Sequence, residues 1–558
     1  MTGSQPDDSG PQRDGCNRAQ LAVAQRGESR RWRLDREAAI VLLISALFTL
    51  PLWLSADPPM TDYPQHLSMA SILRWYHDPA RHLVETYLLE YLRPNTAFVY
   101  IVAALSYVMP IGVAGRLLMA LSVAAIGPAG LALARRAGRP GWYGLFALLS
   151  AYNFAFFFGF VNNIIATPLL LCSVVHADRL LDRRLGWRSW LMVGLYGCAF
   201  YFVHIQFVFL FVGAVGWLTL TRFPGWRNSL WILSALPVGV ILTLLTYVFR
   251  HPETYTYVER ILYAAPSEMP LLFDKLLQIP EYLFGTRTEG KHLVLFFLAV
   301  LGILRLIQVR ARTVAAAPTG HLSWGLVGAW LGRTRFYTLA AWFFCAYLVM
   351  PHVFVGIYVY QRLIAVAWLV LPAVLPVPEM GRLRLAKVLV GIAIAAHLVL
   401  TSATAYAFHL QTRGGHELIA KTEPGKNLIA LVPNYHGADI PYPPLLLHFG
   451  AHYLAEKGGR INFSFSELHI SMVQLRPDLG FDDLRTAANE FTPWRFRFDE
   501  FGYHFDYFLF RGRPDDLKMI FGRHLSKLAW ETSDGWILLR RKPNDFHGQP
   551  GTDGGHRK

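Results

Sequence analysis

The fold is decided by two adjacent stretches, AAIVLLISALFTLPLWLSA (residues 38–56) and DPPMTDYPQH (residues 57–66). The first is apolar over about the ~20 residues that a helix needs to cross a bilayer. The second brings two carboxylates, three prolines and a histidine to the end of that span. Acidic groups so close to a membrane edge are either solvated linker or chemistry, and we interpret Asp62 as chemistry.

The composition of the whole chain indicates a polytopic membrane protein. Of 558 residues, 53% are hydrophobic and 16% are charged, and the mean hydropathy is +0.30. A soluble domain has roughly 25% charged residues. The net charge of +15 does not indicate nucleic-acid binding, because the basic residues form short clusters between apolar blocks, as they do in membrane-protein loops. The four cysteines have no metal-ligand spacing and suggest no disulfide.

The positions of the arginines predict eleven crossings. If residues 96–109 dip in from the outer face without crossing, every later basic cluster falls on the cytoplasmic side, and the short opposite connections carry no Lys or Arg. The positive-inside rule then puts the N-terminus in the cytoplasm and the C-terminus outside. The predicted spans are 38–56, 117–134, 143–158, 160–181, 190–203, 205–220, 230–249, 293–307, 336–350, 363–377 and 388–408.

The domain prediction follows from this topology. Residues 1–37 form a disordered cytoplasmic tail, 38–408 a transmembrane domain with outer loops 57–116 and 250–291, 412–542 an extracytoplasmic α/β domain, and 543–558 a disordered end. Short interfacial helices are expected at 66–76 and 80–92. In the C-terminal domain the pattern predicts strands at 427–432, 507–510 and 535–541, and helices at 444–455 and 517–528.

Several short motifs carry a family resemblance. A first span leads into a long outer loop that opens with an acid, here Asp57 or Asp62. Arg116-Leu117-Leu118 enters a span that ends in Ala134-Arg135-Arg136-Ala137-Gly138-Arg139. Tyr360-Gln361-Arg362 opens a late span, and the soluble tail contains Phe505-Asp506-Tyr507-Phe508-Leu509. This layout resembles the GT-C superfamily of membrane glycosyltransferases, in its bacterial form. One departure is the absence of an Asp-Glu or Asp-X-Asp pair.

The resemblance implies a GT-C-like fold, an α-helical polytopic membrane protein with interfacial helices. It also implies an activity: an inverting transfer of a hexosyl or pentosyl group from a polyprenyl-phosphate-sugar donor lipid. The acceptor would be a glycan, lipid or protein at the outer, periplasmic face. The expected location is the bacterial inner membrane. Two other functions stay open, namely a transporter or flippase of lipid-linked saccharide and a non-catalytic envelope assembly protein.

The chemistry of such a transfer suggests roles for residues. A carboxylate can take the proton of the attacking hydroxyl as general base, and arginine can bind the leaving phosphate with two hydrogen bonds. Asp62 is the predicted base, with helix capping as the alternative. Predicted substrate-binding residues are Asp57, His66, His204, Gln206, Tyr360 and Arg362. The alternative for Asp57 is a polar residue that merely ends the span. The alternative for His204 and Gln206 is hydrogen bonding between helices, and for Arg362 it is snorkelling to the outer interface. A divalent metal, Mg²⁺ or Mn²⁺, is left open, since no ligand set is visible.

Overall fold

The structure is a computed structural model. It describes residues 35–182, 186–221, 233–248, 271–285, 290–307, 324–351, 353–354, 357–377, 383–436, 443–468, 471–476, 490 and 492–541. The disorder predicted for the N-terminal tail falls almost wholly outside these residues, as do the disordered end and most of the predicted outer loop 250–291.

Helices dominate the chain up to residue 420, and several of them fit an integral membrane protein. Four helical stretches in the described part are long and apolar enough to cross a membrane: Arg36–Trp53, Ile111–Arg136, Val161–Leu180 and Leu383–Ala420. Shorter apolar helices of 10–17 residues are Ile205–Leu220, Leu233–Thr246, Leu293–Leu304 and Tyr360–Val374. The number of eleven crossings stays a prediction.

The helices are numbered in chain order within the described residues. They are α1 Arg36–Leu47, α2 Tyr63–Arg74, α3 Leu83–Thr86, α4 Ala97–Leu105, α5 Ile111–Arg136, α6 Gly144–Leu148, α7 Phe154–Phe158, α8 Val161–Leu180, α9 Trp187–Val203, α10 Ile205–Leu220, α11 Pro237–Val248, α12 Leu272–Leu277, α13 Ile279–Phe284, α14 Lys291–Ile307, α15 Trp324–Val349, α16 Tyr360–Leu369, α17 Leu371–Val374, α18 Leu383–Ala420, α19 Ala451–Lys457, α20 Phe498–Phe501 and α21 Pro514–Phe521.

The predicted span 143–158 is wrong as a single helix. It is divided into a 3₁₀ turn, α6 and α7. The break has a local cause, because the Asn153 side chain accepts a hydrogen bond from the Phe156 N–H and starts α7 afresh. Gly159 ends α7 with φ of 88°, a left-handed conformation that favours glycine. The chain therefore makes a tight corner at residues 157–160.

The helix predicted at 66–76 is present as α2, and it is largely buried within the protein. Nine of the twelve residues of α2 are buried, and the Ser71 hydroxyl donates to the Ala455 carbonyl at 2.6 Å. The predicted helix at 80–92 is wrong, since this segment ends in strand β1 (Tyr87–Leu89), which pairs antiparallel with β6 (Val473–Leu475). The nine residues of α4 span about 14 Å, which is less than the ~30 Å of the hydrocarbon core. This short length agrees with the expectation that the segment 96–109 does not cross the membrane.

The C-terminal region contains a five-stranded sheet, and three of its strands lie where the sequence pattern predicts strands. Its order is β5 (Arg460–Ile461), β4 (Asn427–Leu431), β7 (Tyr507–Phe510), β9 (Trp536–Arg541) and β8 (Leu528–Ser533). The β4–β5 and β4–β7 pairs are parallel and the other two are antiparallel. The sequence analysis missed strands β5 and β8. The helix predicted at 517–528 ends at Phe521 and Leu528 instead begins β8, and the helix predicted at 444–455 begins only at Ala451. A further two-stranded pair joins β2 (Val353–Phe354) and β3 (Ile357–Tyr358).

The sheet shares its core with the helical part. Successive side chains of a strand point to opposite faces. Leu428 and Ala430 of β4 therefore join the cluster that contains the buried residues of the membrane helices, whereas Ile429 and Leu431 pack against α21 in a second cluster. The C-terminal region is thus packed onto the helical part through one face of its sheet.

Candidate active site

A cavity of about 550 Å³ lies between the stretch after the first span, helices of the membrane part and the C-terminal region. Its volume is within the range of small-molecule sites. Its wall combines aromatic and aliphatic side chains with a few ionisable groups. The ionisable and polar side chains that line it include Asp62, His66, Asn95, Asn162, His204, Arg362, His436, His448 and Ser471. Four of the residues predicted from the sequence, Asp62, His66, His204 and Arg362, therefore meet in one cavity.

Backbone hydrogen bonds fix the position of Asp62. The N–H groups of Thr61 and Asp62 donate to the carbonyls of Phe157 and Phe158 at 3.0 and 3.1 Å. Gly159 makes this contact feasible, because a Cβ there would lie 2.4 Å from the Asp62 nitrogen. Asp62 stands at the N-cap position of α2, yet its side chain makes no capping hydrogen bond. The carboxylate is therefore directed to other partners, contrary to the capping alternative.

The carboxylate of Asp62 begins a chain of buried ionisable groups. Its Oδ1 lies 3.5 Å from Nε2 of His448, whose Nδ1 lies 2.5 Å from Oε2 of Glu490. Burial raises the pKa of Asp62 to about 6, although His448 and Arg362 act in the opposite direction. Burial lowers the pKa of His448, but Glu490 and Asp62 outweigh it and the net shift is upward. The arrangement places a readily protonated imidazole between two carboxylates.

Arg362 opens helix α16 and lies on the same cavity. Only 4% of its surface is exposed. Its guanidinium carbon is 3.5 Å from the ring centroid of Phe160, a cation–π contact. Its Nε has no hydrogen-bond partner, and within the described residues it forms no ion pair with a carboxylate. A buried guanidinium with unused donors is suited to an anionic ligand.

His204 cannot satisfy both of its donor neighbours. Its Nδ1 is 3.2 Å from the backbone N of Gln206, and its Nε2 is 2.9 Å from Nη1 of Arg362. Both neighbours are donors, and a neutral imidazole has one acceptor nitrogen. One of the two contacts therefore lacks a hydrogen bond, whichever tautomer is present. An anionic oxygen in the cavity would offer Arg362 a stronger acceptor than this imidazole.

His66 is a partly buried histidine that lines the same cavity as Asp62. Burial, with a smaller contribution from His448, lowers its pKa to about 3, so the ring stays neutral. Its Nδ1 is buried without a hydrogen-bond partner, and the ring packs edge-on against Phe98 and Phe465. The neutral ring supplies a donor or an acceptor at the cavity wall, but no charge.

The remaining predicted site residues do not line this cavity. Tyr360 donates to Gln278 Oε1 at 2.9 Å, and Gln206 Nε2 lies 3.4 Å from the Val359 carbonyl. Asp57 packs against two histidines, with its Oδ2 2.6 Å from Nε2 of His416 and 3.3 Å from Nε2 of His452. Their role in substrate binding stays a prediction.

Sequence reasoning missed His448, Glu490 and Phe160. His448 lies in the segment 444–455 that is predicted as a helix, whereas residues 445–450 form turns and helix α19 begins only at Ala451. The one sequence feature that singles out His448 is that it follows Leu447 in an otherwise apolar segment, which by composition would be expected in a hydrophobic core. Nothing in that local pattern indicates contact with Asp62.

The cavity does not suit a divalent metal and a free base at the same time. Mg²⁺ and Mn²⁺ prefer oxygen ligands and are held by carboxylates together with waters and phosphate oxygens. Asp62 is the only carboxylate among the described residues that line the cavity. A metal there would engage the same carboxylate that is predicted to take a proton.

Comparison with known proteins finds similar solved structures, among them two of one protein. No protein-family model matches the chain, and no curated protein matches it. The structure of ArnT from Cupriavidus metallidurans bound to undecaprenyl phosphate is similar over 91% of this chain and 98% of that one, with 11% identity and a TM-score of 0.44. The apo structure of the same protein is similar over 95% and 98%, with 12% identity and a TM-score of 0.46. Neither likeness assigns a role to a residue of this chain.

The corner at Gly159 yields a prediction about the position of Asp62. Replacing Gly159 with Ala adds a Cβ that overlaps the Asp62 backbone, so we expect a loss of ligand binding in the cavity and a lower melting temperature of the purified protein. Gly138→Ala is the matched control, because Gly138 also has positive φ (69°) but its Cβ would meet no atom within 4 Å. Gly138→Ala should therefore lose only the stability of about 1 kcal/mol that a left-handed backbone conformation costs a residue with a Cβ. Equal melting temperatures for the two variants would contradict the close contact.

Proposed function

We propose that the chain is a membrane glycosyltransferase that moves a sugar from a polyprenyl-phosphate-linked donor to an acceptor at the outer face, with inversion. The proposal rests on one observation: a buried carboxylate, Asp62, and a buried arginine, Arg362, line the same cavity. When an acceptor displaces phosphate from a sugar in a single step, the reaction requires these two groups, a base and a cation. The GT-C-like motifs of the sequence support the same assignment.

Asp62 is the base in this proposal. It accepts the proton of the acceptor hydroxyl while that oxygen forms a bond to the anomeric carbon, and the bond from this carbon to the phosphate oxygen breaks. A base works best when its pKa lies near the operating pH. Burial brings the pKa of Asp62 to about 6, so at neutral pH the group is ionised and is a stronger base than an exposed aspartate. His448, backed by Glu490, orients this carboxylate.

Arg362 receives the negative charge of the leaving phosphate. Its guanidinium lies against the ring of Phe160 in a cation–π contact. Its unpartnered Nε provides one donor beside the Nη1 that faces His204. On phosphate binding, the Nη1 donor exchanges an imidazole nitrogen for an anionic oxygen, which makes a stronger hydrogen bond. The departing group is therefore stabilised where charge develops.

Replacement of Asp62 with Asn separates the transferase from the other two functions. We expect the purified wild-type protein to release polyprenyl phosphate from a polyprenyl-phosphate-sugar in the presence of acceptor, and Asp62→Asn to be slower by about 10²–10⁴-fold. Glu85→Gln, an exposed carboxylate of the same loop, is the control and should keep the wild-type rate. An unchanged rate in Asp62→Asn would remove Asp62 as base. Movement of intact donor lipid across liposomes without any transfer would favour the flippase.

The pH dependence of the rate follows from the raised pKa of Asp62. A base is active when ionised, so the rate should rise with pH through about 6 and level off above it. An exposed aspartate would give this rise near its ordinary value of about 3.9. The measurement is the rate under single-turnover conditions between about pH 4.5 and 8, where wild type shows the rise and the residual rate of Asp62→Asn does not. A wild-type rate that is flat across pH 6 would contradict the assignment.

Arg362 provides a separate test by binding. Undecaprenyl phosphate, the lipid named with the ArnT structure above, is the probe, and affinity is measured by native mass spectrometry in detergent. Arg362→Lys keeps the charge but loses the planar fork, and we expect an affinity loss of about 10-fold or more, from the 1.5–3 kcal/mol of a hydrogen bond to a charged group. Arg413→Lys, an exposed arginine paired with Asp534, is the control. Equal affinity in both variants would place the phosphate elsewhere.

A further inference from the structure

A second cluster of ionisable side chains lies outside the cavity. It consists of Asp57, His416 and His452, whose carboxylate and imidazole atoms all lie within 4.8 Å of one another. The three residues come from distant parts of the chain: Asp57 follows the first span, His416 lies near the end of α18, and His452 lies in α19. We propose that these three side chains bind one zinc ion.

The hydrogen bonding of the cluster points to a shared ligand. Oδ2 of Asp57 lies 2.6 Å from Nε2 of His416 and 3.3 Å from Nε2 of His452, and neither Oδ2 nor the His416 Nε2 has a well-aligned hydrogen bond. Asp57 is 5% exposed and His452 is 2% exposed, so water does not satisfy them freely. The arrangement is explained when both atoms aim their lone pairs at a common cation.

The donor set selects the class of metal. Two imidazoles and one carboxylate suit Zn²⁺, which binds histidine nitrogen and carboxylate oxygen at about 2.0–2.2 Å and takes four ligands in a tetrahedron. Mg²⁺ and Ca²⁺ prefer sets made of oxygen. Three protein ligands leave a fourth position for water. A modest separation of the Asp57 and His416 atoms would accommodate the ion.

A carboxylate next to the cluster completes the arrangement. Oε1 of Glu456 lies 3.5 Å from Nδ1 of His416, the nitrogen that faces away from Asp57. A carboxylate that receives the Nδ1 proton fixes the tautomer and leaves the Nε2 lone pair free for a metal. Glu456 is one turn along α19 from His452, so one helix supplies both a ligand and the group that orients another.

The zinc ion would hold together three segments, two of which lead to residues of the candidate active site. Asp57 lies five residues before Asp62, and His452 lies four residues after His448. Both cavity residues are therefore near an anchored ligand, which makes the site a positioning device for the cavity without any contact with substrate. The inference does not depend on the proposed transferase activity, because zinc binding is measured directly.

The first experiment is metal analysis of the full-length protein, purified in detergent without a polyhistidine tag. We expect about one zinc per chain in the wild type and a loss of zinc in His416→Ala and His452→Ala. His409→Ala is the matched control, since His409 is on the same helix outside the cluster, and it should keep its zinc. Glu456→Gln should retain the site with about 10–100-fold weaker affinity, as measured with a competing chelator. Zinc that persists in both cluster variants would overturn the proposal.

A second experiment stands even if the alanine variants fail to fold. The wild-type protein is stripped with chelator and loaded with Co²⁺, whose visible absorption reports a tetrahedral site. His452→Cys preserves a ligand for this metal class and should add a thiolate-to-cobalt charge-transfer band that His409→Cys lacks. Absence of zinc from wild type, together with no cobalt spectrum after loading, would leave Asp57 and the histidines as an ion pair and would overturn the proposal.

Discussion

Two backbone hydrogen bonds determine the geometry of the candidate site. They join the N–H groups of Thr61 and Asp62 to the carbonyls of Phe157 and Phe158, where the chain turns through Gly159. Because backbone groups form the contact, the position of Asp62 is independent of its own side chain. The carboxylate is consequently free to interact with His448, and the same corner leads to Phe160, which supports Arg362. One turn thus positions both the Asp62 carboxylate and the ring that supports the Arg362 guanidinium.

The C-terminal region is part of the site as well as part of the core. His448 and Glu490 reach Asp62 from this region, while Gln65 of α2 exchanges hydrogen bonds with Phe463 and Phe465. One face of the sheet belongs to the same hydrophobic cluster as the membrane helices. Removing residues 412–558 would therefore remove a wall of the cavity, so such a deletion cannot distinguish a catalytic role of Asp62 from an assembly role of this region.

The sequence was sufficient for features that depend on local pattern. Helix α10 and strand β7 have the bounds predicted for them, because each is a short apolar run between clear breaks. The meeting of Asp62 with Arg362 was predicted from the chemistry that each could perform. The contact of Asp62 with His448 was not, because it depends on how turns rather than a helix present residues 444–450. The division of 143–158 depends on one asparagine cap, which a hydropathy pattern does not register.

The length of α18 has a mechanical consequence. Its 38 residues extend for about 57 Å at 1.5 Å per residue, whereas the hydrocarbon core of a bilayer is ~30 Å thick. The helix thus continues well beyond the lipid as a single stiff rod and ends among the strands of the sheet, where the Trp536 indole donates to the Gln411 carbonyl. Because such a rod bends little, it fixes the distance between the part of α18 that can cross the bilayer and the C-terminal region that lines part of the cavity.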